Sequence, residues 1–293
     1  MHLTFRPFLP FRSTWVMAAA ASLLLAAGCA GRPEMPILEQ TGSRSALETA
    51  DRLGKLLPAD VLLVGEQHDA AEHHRIEQHI VSSLATQGLL AALALEMAEV
   101  GVSTAKLKPS STEEQTRRAL KWDDKAWPWQ DYGPAVMTAV RAGVPVLGAN
   151  LPTDQMQASV NDSKLDVQLP GPALKAQQQA IRIGHCNLLP ESQITPMTRV
   201  QIARDITMAD TIHQLVFPGK TVLLLAGNGH ADRRLGVPQH LRADLKAKSI
   251  HLRAGQGQGA DTADAFDSVW TTPALPDTDH CAKLQAQLPV VTR

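Results

Sequence analysis

The sequence predicts an α/β fold: a mostly parallel sheet flanked by helices, with a small all-helical subdomain inserted between two strands. Three observations carry this. Short apolar runs are continuous rather than alternating, as strands buried on both faces require. Helical stripes separate the first three runs, which is the strand, helix, strand pattern of right-handed crossovers. A long stretch, 151–217, contains no convincing strand. The 293 residues, 44% of them hydrophobic, suffice for the core of one such domain.

At the N-terminus, Arg6 and Arg12 precede the apolar run "WVMAAAASLLLAA", which stops at Gly28-Cys29. Its length and flanks suit an export signal over residues 1–28, not a spanning helix. "LAAGC" resembles a lipobox, in which Cys29 is lipidated and becomes the first mature residue; Ala26 stands where leucine is commoner. A plain secretory signal with an incidental cysteine is the alternative. Ala30 is not the aspartate that retains lipoproteins at the inner membrane, so the sorting rule points to the outer membrane. Residues 29–45 are polar and prolyl and read as a tether, followed by a folded domain over 46–290.

Strands are expected at "DVLLVG" (60–65), "LLAALALE" (89–96), "VPVLGAN" (144–150) and "TVLLLAGN" (221–228), with weaker ones at "SIHLR" (249–253) and "DSVWTT" (267–272). Ile76, Ile80, Val81 and Leu84 form one helical stripe, and Asp69 and Glu72 have the spacing of its capping box. His73 can pack on this stripe, whereas His74 and His79 read as solvated surface. Pro134 can open the next helix, with Val136, Met137 and Val140 inward and Gly143 closing it. In the helical subdomain, Thr195 can cap a helix that has Pro196 at its first position. Residues 254–267 read as a mobile turn.

Export places Cys186 and Cys281 in an oxidising compartment, and as an even pair they imply a disulfide. A metal site is the rival reading, although no CxxC spacing is present. A net charge of -1 and a pI near 6.8 leave no basic footprint for nucleic acid.

Ligands of open parallel sheets bind beyond the carboxyl ends of the strands. There this chain places Glu66 and His68, then Glu96, then Asn150, then Gly227-Asn228-Gly229-His230. One pocket can therefore gather Glu66, His68, Glu96 and His230, either as a site or as structural ion pairs. Aromatic residues are also concentrated: Trp122, Trp127, Trp129 and Tyr132, the only tyrosine, lie within eleven residues. Such a cluster suits a planar ligand, or a tryptophan-rich lid tucked into the core.

The ordered set "VLLVGEQHD", "ALALEM", "WPWQDYGPAV", "GVPVLGANLP", "GHC", "QIARDITMA" and "LLLAGNGHADRRLGVPQHL" resembles the ChaN-like haem-binding lipoprotein family from about residue 45 to 285. The wider superfamily of that family includes Tiki proteases and erythromycin esterases. The resemblance implies a haem-binding lipoprotein of the outer membrane that holds or transfers haem in iron acquisition. It implies ferric haem as cofactor, a homodimer on haem binding and an outer-membrane haem receptor as partner. The family's axial tyrosine falls on Tyr132, between Trp129 and Pro134, and a phenolate is a hard donor suited to ferric iron. His185, in "GHC", is the next candidate to ligate haem or hydrogen-bond to it. Trp127, Trp129, His68 and His230 are the further haem contacts, and Arg204 and Arg199 the candidate propionate partners. Met197, Ile202, Ile206 and Met208 can form an apolar wall or simply core. The superfamily also keeps a hydrolase reading open, with Glu66, His68, Glu96 and His230 activating water directly or around a metal.

Overall fold

The computed structural model describes residues 37–256, 264–277 and 279–287. The export signal, Cys29 and residues 257–263 of the 254–267 turn lie outside the described residues. Among those described, six strands form one sheet in the order β3-β2-β4-β1-β5-β6, with every neighbouring pair parallel. They are β1 (Val61–Glu66), β2 (Leu90–Glu99), β3 (Val146–Asn150), β4 (Thr221–Gly227), β5 (Ala247–Ala254) and β6 (Ser268–Thr272). All six expected apolar runs are strands. β1 and β4 are buried along their whole length, as continuous apolarity requires at the sheet centre.

One face of the sheet is covered by α1 (Ile37–Gly54), α2 (Ala71–Thr86), α3 (Glu113–Ala119) and α4 (Trp129–Arg141). Here Ile80, Val81, Leu84, Val136 and Met137 pack on Leu62, Val64, Leu93 and Leu225. The other face packs on the long helix α7 (Glu191–Leu215) through Met208, Ala209 and Ile212. Before α7 come α5 (Thr153–Asn161) and α6 (Gly171–Gly184), which with α7 bury Leu151, Leu165, Leu169, Ile202 and Ala203. This separate apolar cluster is the core of the helical subdomain. After β4 comes the single turn α8 (Asn228–Ala231), and the described chain closes with α9 (His280–Gln287).

Helix starts differ from expectation. α1 already runs from Ile37, inside the stretch read as a tether; it docks by burying Leu53 and by stacking Arg52 over Trp270 at 4.6 Å. α4 begins at Trp129, not Pro134, because the Asp124 carboxylate accepts the Trp129 N–H at 2.9 Å. Pro134 consequently lies in the second turn. α7 likewise begins at Glu191 behind Pro190, leaving Pro196 inside it. α2 has no side-chain cap: Asp69 instead pairs with His280 and Glu72 with Arg75. No described helix is long and apolar enough to cross a membrane.

Candidate functional site

Because β4 lies between β1 and β2, the carboxyl ends of these three strands bring Glu66, Glu96 and the Gly227–His230 turn side by side. Two glycines permit the close approach. A Cβ on Gly65 would stand 2.8 Å from Asn228 Oδ1, and one on Gly227 would stand 2.9 Å from His68 Nε2. β2 runs on past Glu96 to Glu99 through a register shift against β3, so Glu96 sits within the strand.

Glu66 is the hub of one cluster. Its Oε1 receives the Tyr132 hydroxyl at 3.0 Å and lies 2.6 Å from His68 Nδ1, while Oε2 lies 3.3 Å from His74 Nε2. Burial opposes its charge, but His68 and His74 outweigh burial and hold its pKa below the ordinary carboxylate value. His68 loses stability as a cation by burial and regains more from Glu66, so its pKa is raised; its side chain is 43% exposed and forms the cluster's outlet to solvent. Tyr132 is 1% exposed. Burial, and then the charge of Glu66, push its pKa above that of a free phenol, so the hydroxyl remains a protonated donor. Beneath lies Glu77, fully buried without a hydrogen-bond partner, and burial next to Glu66 raises its pKa well above the ordinary value and keeps it neutral.

Glu96 anchors the second cluster. Oε2 accepts the Gly227 N–H at 2.7 Å, and Oε1 lies 3.4 Å from His230 Nε2. The other imidazole nitrogen, Nδ1, lies 2.6 Å from Asp205 Oδ1 on α7. Buried between two carboxylates, His230 pays for desolvation and is still driven up to about 10, while Glu96 is held down at about 2. Burial pushes Asp205 up to about 6, so of the two carboxylates it takes a proton before Glu96 as the pH falls. His68 Nε2, 4.0 Å from Glu96 Oε2, links the clusters.

Trp127 packs edge-on against His68 at 4.9 Å and against Tyr132 at 5.9 Å between ring centres. Trp129 points elsewhere. Its indole folds over Gly133, and Nε1 donates to Glu113 Oε2 at 3.0 Å. Beside Trp127 opens a cleft of about 570 Å³ with Glu96, Asn150, Lys121, Met156 and Arg204 in its walls.

His185 joins none of these bonds. It lies at the C-terminal end of α6, where Nδ1 is 2.8 Å from the Ile181 carbonyl oxygen. Nδ1 therefore carries the proton that donates to this carbonyl, leaving the Nε2 lone pair free of any described partner. Cys186, the next residue, is bonded to Cys281 of α9, as the cysteine count implied. Ile183, 62% exposed, lies two residues before His185. Arg199 is committed to Asp166 by two bonds, at 2.8 and 2.7 Å.

The structure thus gathers Glu66, His68, Glu96, His230, Tyr132 and Trp127, and leaves His185, Trp129 and Arg199 out of the cluster. His74, expected on the surface, is buried at 4.6 Å from the Tyr132 ring. Glu77, Asp205 and Gln201, whose amide lies 3.2 Å from His230, were not singled out in the sequence. Glu77 shares the helical stripe of Ile76, Ile80 and Leu84, and that periodicity was the available signal. Among the described residues, no group of three His, Cys, Asp or Glu side chains is arranged to hold a metal ion.

A family profile described as haem-binding uptake, Tiki superfamily, ChaN, matches residues 52–241. Among solved structures, the chain is similar to ChaN of Campylobacter jejuni, described for cofacial haem binding, at 28% identity and a TM-score of 0.63, covering 75% of this chain and 89% of that one. It is also similar to the type III effector HopBA1, at 16% identity and a TM-score of 0.45, over 78% of this chain and 94% of that one. No curated protein matches the chain.

Proposed function

The chain belongs to the haem-binding uptake family of the Tiki superfamily that includes ChaN, and from this premise we propose that it binds haem through the α6–α7 corner, with His185 Nε2 as the iron donor. The observation that carries the donor assignment is the hydrogen bond from Nδ1 to the Ile181 carbonyl, which holds the ring and leaves Nε2 without a described partner. Haem supplies an iron that takes an axial donor and a broad apolar face. The exposed Ile183 and the half-buried Leu188 and Leu189 provide apolar surface at the same corner.

Tyr132 suits the donor role less well in this arrangement. Its oxygen is buried and engaged with Glu66, and a phenolate there would face the charges of Glu66 and Glu96. Ligation by Tyr132 would require that bond to break and the ring to leave the core. The cofacial haem binding described for the Campylobacter jejuni protein supports two haems lying face to face here as well. With one such corner per chain, this arrangement takes a homodimer. Lipidation at Cys29, attachment to the outer membrane and transfer of ferric haem in iron acquisition complete the proposal, and the lipobox supports the anchor.

The family match favours this reading over a hydrolase. Glu96 is already bonded through both oxygens and Glu66 is held by three neighbours, so neither is placed as a free general base. Absorption titration of the mature protein with ferric haem tests the proposal. We expect a saturable Soret change with histidine character and, on sedimentation, a shift from monomer to dimer. Linear, unsaturable uptake contradicts haem binding.

A further inference from the structure

The cleft beside Trp127 opens at the carboxyl ends of β2 and β3 and has the volume of a small-molecule site. Two of its polar atoms lack partners. Asn150 is 9% exposed; its Nδ2 donates to the Glu96 carbonyl at 2.9 Å, whereas Oδ1 is buried without a hydrogen bond. Arg204 Nε is likewise buried and unbonded. Such atoms cost stability unless something pairs with them.

Of the acidic neighbours, only Glu96 is engaged through both oxygens. Glu96 is held by His230 and Gly227, Glu99 accepts from the Thr153 N–H and hydroxyl at 2.9 and 2.6 Å, and Asp123 accepts the Lys125 N–H at 3.0 Å. Lys121 stabilises the charge of Glu99, and Arg204 also acts electrostatically on its neighbour Asp205. The guanidinium nevertheless makes no described hydrogen bond or ion pair. The cleft thus offers two cations without a described partner, Arg204 with its buried Nε and Lys121, one buried acceptor that needs an O–H or N–H, and the Trp127 indole in its wall.

We propose that this cleft is a second ligand site, for a small carboxylic acid that bears a hydroxyl group and an apolar body. The carboxylate takes Arg204, the hydroxyl donates to Asn150 Oδ1, and the body lies against Trp127 and Met156. The inference does not depend on haem binding at His185.

Calorimetric titration of the haem-free mature protein with mandelate and with phenylacetate, which differ by one hydroxyl, tests it. Mandelate should bind saturably and about tenfold or more tightly than phenylacetate. Arg204→Gln should weaken mandelate by about tenfold or more. Asn150→Leu should remove the preference for mandelate; if that variant does not fold, the wild-type ligand pair and Arg204→Gln still decide. No saturable mandelate binding, or equal affinity for the two acids, overturns the proposal. So does a weakened haem titration in Arg204→Gln with mandelate binding intact, which would assign the guanidinium to the haem site.

Discussion

The sheet edge and the α6–α7 corner differ in how far their polar groups are already satisfied. At the sheet edge, Glu66, His68, His74, Tyr132, Glu96, His230 and Asp205 form a dense set of titratable groups, nearly all bonded to one another. The corner has one imidazole, one carbonyl fixing it and a disulfide beside it. Density of chemically interesting residues therefore marks a self-paired core here, while the single histidine keeps an open nitrogen. The neighbouring cleft is intermediate: Glu96 is engaged through both oxygens, while Arg204 Nε and Asn150 Oδ1 are buried without a partner.

The largest expected effect is at the sheet edge. Glu96→Ala leaves the buried His230 cation with only Asp205, and should cost about 3–5 kcal/mol in chemical denaturation. A loss below about 1 kcal/mol would mean that the pair is already solvated. At the corner, Cys281→Ala opens the staple between α9 and α6, and we expect about 2–4 kcal/mol of stability to be lost. Unchanged unfolding would show that the corner holds without it. Tyr132→Phe should cost about 1–3 kcal/mol, since Glu66 loses a donor in a buried place.

A smaller effect comes from pH. His230 has a folded pKa above its unfolded value, so its contribution is complete below about 6.5 and fades as pH rises toward about 10. Glu96 is depressed, so its contribution is present above about 4.5 and fades as pH falls toward about 2. Asp205 opposes this: its raised pKa makes the charged form unfavourable, a cost relieved as the pH falls through about 6. Melting temperature should therefore fall as the pH rises above about 6.5, climb modestly from about pH 6 down toward 4.5 as Asp205 takes its proton, and fall below about 3.8 where only the loss of Glu96 remains. In Glu96→Ala the alkaline fall should shrink.

Much of the sheet was legible because strands buried on both faces need unbroken apolar runs, which "VLLV" and "VLLL" display without reference to the rest of the fold. The strand-end residues were legible for the same reason, since the fold alone brings Glu66, Glu96 and His230 together. Helix starts were misread where a proline looked like a first residue. At α4, a carboxylate five residues upstream caps the helix, and a local pattern does not contain that contact. Which way Tyr132 points was also hidden. Its partner Glu66 is 66 residues away, and only the packing of α4 on α2 decides that the phenol faces inward. Conversely, the value of His185 rests on a bond to the carbonyl four residues before it, which appears only once α6 is known to end there.

The most direct test of the contrast is ferric haem titration of His185→Ala and Tyr132→Phe side by side, read in the Soret region. We predict that Tyr132→Phe binds haem with the affinity and spectrum of the wild type, while His185→Ala loses about tenfold or more in affinity and shifts its band. A wild-type titration in His185→Ala, together with loss of the band in Tyr132→Phe, would contradict the account and return the iron to the tyrosine.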